Sequence, residues 1–157
     1  MSAPEKPVFE NPIFTYQNVC RVIRRAYFCA AHRLYQDHLT LQENQALYGD
    51  AATSMHGFGH NYILEAYVEG AIDVKTGMVM AIHELDACLK EITSGLDHRF
   101  LNHEVSYFKT VVPTGENIAQ YCFDFLNRLL KTHGQVKLAK VRLYETDDLW
   151  VDIEPAC

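Results

Sequence analysis

Hydrophobic periodicity changes character twice along this chain, and that change limits the folds open to it. Residues 13–33 read as extended: the stretch VCRVIRRAYFCAAHRL, residues 19–34, is rich in β-branched and aromatic residues with arginines interleaved. Residues 58–69, FGHNYILEAYVE, read as a second strand whose imperfect alternation at Tyr62, Leu64 and Tyr67 suits a bulge. The period then becomes helical. Met80, Leu85, Leu89 and Ile92 fall near a 3.6-residue repeat, with Gly95 placed to end it. A second helix is announced by Pro113 and by Thr114 as N-cap, carries an apolar stripe of Ile118, Tyr121, Cys122, Phe125 and Leu129, and is closed by Gly134. Residues 136–145 and 149–154 alternate again around Thr146-Asp147-Asp148, which gives a hairpin. The order predicts an α+β domain: a four-stranded antiparallel sheet with two helices on one face. Open sheet edges must be covered or paired, so a homo-oligomer is expected.

The domain is expected over residues 13–157, behind a tail of residues 1–12 that carries three prolines. Residues 35–55 show no sustained period and read as a long loop of the functional kind. At 157 residues, with 48% hydrophobic and 22% charged side chains, the chain has enough apolar material for one packed core. No apolar run approaches the roughly 20 residues of a membrane span. The opening MSAPEKPVFENP lacks the basic and apolar regions of an export signal. A net charge of -6 argues against a general nucleic-acid or anionic-membrane binder, although a local basic site can still take a small anion. The five cysteines are odd in number and form no CxxC pair, so they read as reduced thiols of a cytoplasmic protein.

Three histidines carry the chemistry. His56 and His60 flank Gly57-Phe58-Gly59, and even spacing on a strand sets both on one face. His32 ends the first strand. If the two strands pair, three imidazoles converge and leave a fourth ligand position open, as in a catalytic zinc site. On spacing alone, hydrogen-bonded histidines at a strand end explain the pattern as well. Asp97 beside His98 has the composition of an oriented base, although neighbours on a strand point apart, and a loop Asp with a surface His fits too. Glu145, at the end of the third strand, could accept two N–H donors of a ligand or be an ordinary strand-end charge.

In chain order the segments Phe28-Cys29-Ala30-Ala31-His32-Arg33-Leu34, Gly59-His60-Asn61-Tyr62, Ile72-Asp73-Val74-Lys75-Thr76-Gly77-Met78-Val79, Leu96-Asp97-His98, Pro113-Thr114-Gly115-Glu116-Asn117 and Tyr144-Glu145-Thr146-Asp147 resemble the 6-pyruvoyltetrahydropterin synthase family. That family includes the 6-carboxytetrahydropterin synthases of queuosine biosynthesis. The resemblance covers roughly residues 22 to 153. It implies the tunnelling fold, in which subunits join their sheets into a β-barrel and trimers pair into hexamers. It implies 7,8-dihydroneopterin triphosphate or a related pterin as substrate, held between subunits, and Zn2+ on three histidines. Glu145 would anchor the pterin N–H groups, with Thr114 and Glu116 also on the substrate. Asp97 and His98 would assist proton abstraction, and triphosphate would be eliminated in a step of tetrahydrobiopterin biosynthesis.

Two departures stand out. Phe58 occupies the place of one family histidine, and His56 is expected to replace it as a ligand if Gly57 and Gly59 form a bulge. The resemblance also implies a cysteine thiolate, in the loop before the metal motif, that abstracts the proton, but the loop Leu47–Met55 has no cysteine, and Asp50 is its nearest ionisable group and candidate base. Cys29, three residues from His32, is expected on the opposite face of its strand. Two readings follow: a pterin lyase, which altered loop chemistry would turn toward side-chain cleavage, or a pterin-binding relative without turnover.

Overall fold

The computed structural model describes residues 18–156. The expected tail, the start of the first extended segment and Cys157 lie outside them. A five-stranded sheet runs in the order β3-β1-β2-β4-β5. Its strands are β1 (Cys20–His32), β2 (Phe58–Gly70), the two-residue β3 (Arg99–Phe100), β4 (Lys137–Tyr144) and β5 (Trp150–Ile153). Four strands were expected. The fifth, β3, is parallel to β1 and pairs Ala30 with Arg99 and Ala31 with Phe100. A two-residue strand carries too short an alternation to be read from sequence.

Antiparallel pairing of β1 with β2 sets Phe28 opposite Tyr62, Ala30 opposite His60 and His32 opposite Phe58. Their even-numbered residues share one face. That face runs through Tyr62, Leu64, Ala66 and Val68 into the core beneath helices α2 (Ile82–Leu96) and α4 (Gly115–Leu130). The irregularity falls between Tyr67 and Val68, where β4 carries the extra residue: Lys140 and Leu138 pair across and Ala139 is skipped.

The stripe of α4 is rotated from its expected position. Ile118, Ala119, Cys122, Phe123, Leu126 and Leu130 are buried, while Tyr121, Phe125 and Leu129 are partly buried at the margin of the core. There Tyr107, Phe108, Tyr121 and Phe125 form an aromatic rim. Thr114 caps the helix, accepting from Asn117 N–H at 3.3 Å. Cys122 lies wholly inside, where burial pushes its thiol up to about 12.

The expected long loop at residues 35–55 contains α1 (Leu41–Tyr48) and a 3-10 turn at Gly49–Ala52. Thr40 and Glu43 form a reciprocal capping box, a signal that was present in the sequence. Buried Asn44 pins this segment, accepting from Gln36 N–H and donating to the carbonyls of Gln36, Leu39 and Thr40. A short helix α3 (Leu101–Glu104) and a 3-10 turn at Ser106–Lys109 lead into α4.

Gly57 makes the turn into β2 with φ +70, and a Cβ there would lie 2.6 Å from the His32 carbonyl and 2.5 Å from the Phe100 ring. Gly57→Ala is therefore expected to destabilise the fold by about 2–4 kcal/mol, combining left-handed strain with overpacking. Denaturant unfolding checks this, and an unchanged midpoint would contradict it.

Candidate functional site

β1, β2 and β4 end their helix-facing rows at the same end of the sheet. This brings together His32, His60 and Glu145, which lies two residues beyond Leu143 on the same side. One ligand atom from each lies within 4.8 Å of the others. Glu145 Oε1 is 3.3 Å from His60 Nε2 and 3.9 Å from His32 Nε2.

His32 is buried, and its Nδ1 donates to the Pro113 carbonyl at 2.5 Å. That bond selects the tautomer whose Nε2 keeps a lone pair, and the lone pair faces the cluster. Burial lowers the affinity of this ring for a second proton, against smaller opposing effects from the Pro113 carbonyl and Glu145. Tyr62 Oη lies 3.4 Å from the same Nε2. His60 Nε2 is buried and makes no hydrogen bond. A buried imidazole nitrogen without a partner, beside a lone pair and a carboxylate oxygen, is a donor set that fits a divalent cation.

His56 is not brought into this group. The β1–β2 ladder is continuous through Gly59 to Phe58, so no bulge forms. Instead Gly57 N–H donates to the Ser54 carbonyl and Ser54 Oγ to the Gly57 carbonyl. That turn leaves His56 exposed before the strand begins. Phe58 takes the adjacent space, with its ring edge-on to His32 at 4.6 Å and to His60 at 5.5 Å.

Asp97 and His98 form a pair despite being chain neighbours. Asp97 is the C-cap of α2, so Gly95 lies inside the helix rather than ending it. His98 follows with φ +57. The left-handed backbone swings its ring back, so that Nδ1 is 2.9 Å from Asp97 Oδ2. The other carboxylate oxygen accepts Cys29 N–H at 2.8 Å, and His98 N–H donates to the Cys29 carbonyl at 2.6 Å. The Cys29 N–H, more than His98, holds the Asp97 carboxyl below its ordinary range. A non-glycine residue in this region is a mark of functional sites. The pair is thus tied to β1 at Cys29, whose exposed side chain lies on the face opposite His32.

Asp50 is exposed on the 3-10 turn. Thr114 Oγ1 is occupied in capping, and Glu116 is exposed in the first turn of α4. Gly115 lies against Glu145: a Cβ there would be 3.0 Å from Oε2. Sequence reasoning missed the Pro113 carbonyl, a backbone group with no side-chain signal. It also missed the position of Tyr62 beside His32, although that tyrosine stands in the Gly59-His60-Asn61-Tyr62 segment. A groove of about 710 Å³ is lined by residues that include Arg33, His38, Met55, Phe100, His103 and Lys109, and none of the three cluster residues lines it. No helix among the described residues is long and apolar enough to cross a membrane.

Fold and site together define a class: an α+β domain that presents two imidazoles and a carboxylate at one end of its sheet. The family model for 6-pyruvoyl tetrahydropterin synthase matches residues 21–156. The human 6-pyruvoyl tetrahydrobiopterin synthase is 43% identical over 129 residues, spanning 82% of this chain and 86% of that protein. The Dictyostelium discoideum protein of the same name is 40% identical over 129 residues, spanning 82% and 90%. The structure of Caenorhabditis elegans 6-pyruvoyl tetrahydropterin synthase superposes with a TM-score of 0.82 at 32% identity, covering 88% of this chain and 97% of that one. The chain belongs to the 6-pyruvoyl tetrahydropterin synthase family, whose members are lyases of pterin biosynthesis.

Proposed function

We propose that this protein acts on 7,8-dihydroneopterin triphosphate or a close pterin, by triphosphate elimination or side-chain cleavage. The observation that carries the reading is the convergence of His32, His60 and Glu145 at one end of the sheet. His32 and His60 would hold Zn2+, which when bound polarises the oxygens of the pterin side chain. Glu145 orients the pterin by accepting its N–H groups, and the N-terminal turn of α4, with Thr114 and Glu116, borders that position. Asp97 fixes His98 Nδ1–H and leaves Nε2 to hold a substrate proton. Asp50 remains the carboxylate alternative in the loop. Closure of the sheet edges by further copies, as trimers or hexamers forming a barrel, would complete the substrate cleft. A cytoplasmic location agrees with the reduced thiols.

One observation favours a second reading, a pterin-binding protein without turnover. The segment Leu47–Met55 holds no thiol, and Cys29 lies on the wrong face of β1. Incubation with dihydroneopterin triphosphate and mass spectrometry of the products separates the two: released triphosphate or a cleaved side chain supports the lyase, and bound, unaltered substrate supports the binder. If Asp50 is the base, Asp50→Asn lowers turnover about 10²–10⁴-fold. Unchanged turnover in that variant removes Asp50 from the chemistry.

A further inference from the structure

We infer that Glu145 Oε1 is itself the third protein ligand of the cation site, in the place that Phe58 cannot fill and His56 does not reach. This rests on the metal-dependent reading above and departs from a three-histidine site. Donor atoms sharing a tetrahedral ion at about 2.0–2.1 Å sit roughly 3.3 Å apart. The His60 Nε2–Glu145 Oε1 distance is 3.3 Å, and the His32 Nε2–Glu145 Oε1 distance is 3.9 Å.

These atoms are close without being bonded to each other. His60 Nε2 has no hydrogen bond, although the carboxylate oxygen lies 3.3 Å away, so its bonding capacity is left for another partner. His32 is presented by its Nδ1 bond to the Pro113 carbonyl, the outer support that metal-bound histidines use. The two oxygens of Glu145 have different surroundings. Oε1 faces the imidazoles, whereas Oε2 lies over Gly115 at the N-terminus of α4, where a side chain larger than hydrogen would press on it. Ligation through Oε1 leaves only Oε2 for ligand N–H groups, so a cation-bound Glu145 is not the two-oxygen pterin anchor that the family resemblance implies. Two neutral imidazoles and one carboxylate also leave the bound ion a net charge one lower than three imidazoles would.

Zn2+ competition against a fluorescent chelator, with the full chain and no pterin, tests the assignment. Glu145→Gln, which keeps the side-chain shape, is expected to weaken Zn2+ binding about 100-fold or more, and His56→Ala to leave it at the wild-type value. Phe58→His in the Glu145→Gln background is expected to recover most of the affinity, which separates ligation from a folding defect. With Co2+ in place of Zn2+, the visible absorption of the wild type should change in Glu145→Gln. Wild-type affinity in Glu145→Gln overturns the assignment while the metal site stands. A folded wild type that takes up no Zn2+ overturns the metal-dependent reading, and the assignment with it.

Discussion

His32→Ala is expected to empty the protein of bound metal and to lower turnover by at least about 10³-fold, while His56→Ala changes neither. A Lewis acid is worth several kcal/mol at the transition state, and about 4 kcal/mol is a thousandfold in rate. The contrast between the two histidines follows from the turn at Gly57. The strand that presents His60 begins only at Phe58, so His56 stays exposed while His32 is sealed against Pro113. Metal analysis and steady-state kinetics on both variants check this, with thermal melting to confirm folding. Metal retained by His32→Ala, or lost by His56→Ala, contradicts the arrangement. A pH dependence accompanies it in metal-free protein. Burial lowers the proton affinity of folded His32 below its ordinary value of 6.5. The unfolded chain therefore binds more protons as the pH drops below about 6.5, so stability falls with acidification through that window and levels off below the folded value. His32→Gln should flatten this slope.

Asp97→Asn is expected to lower kcat about 10²–10⁴-fold with little change in KM. The amide can still accept the Cys29 N–H with its oxygen, so the turn after α2 is kept. Its NH2, however, faces His98 Nδ1 and favours the tautomer whose Nε2 carries a proton. The ring then offers a donor where the reaction requires an acceptor. Because the Cys29 N–H and His98 depress the Asp97 carboxyl, its contribution to stability is present above about pH 4 and is lost as the pH falls through its folded value. Asp97 is therefore ionised at neutral pH, and the wild-type kcat profile on the acid side should not report it. Wild-type kcat in Asp97→Asn would remove the pair from the chemistry.

Both effects trace to contacts of different ranges. The Asp97–His98 pair is local, and the opposed directions of strand neighbours do not apply to it. The residues sit at a helix end, where a left-handed φ lets neighbours meet. The exchange of His56 for Glu145 is long-range. It depends on where β2 begins and on Gly57 fitting between the His32 carbonyl and Phe100, contacts between parts of the chain distant in sequence. The α1 segment is a third case. Its capping box was legible at Thr40 and Glu43, but its apolar face is too weak for periodicity to mark, and buried Asn44 holds it instead.

By itself the amino-acid sequence determined the class of fold, the long strands and helices, the place of Cys122 on an apolar helix stripe, the outward side of Cys29 and the family. Each of these follows from periodicity, caps and ordered short motifs, which act within a few residues. Tertiary structure alone decided which side chains meet: Glu145 with His32 and His60, Phe58 in place of His56, and the Pro113 carbonyl behind His32. Those meetings depend on the register between strands and on the φ of single residues. A shift of one residue in that register would turn the same side chains to the other face of the sheet.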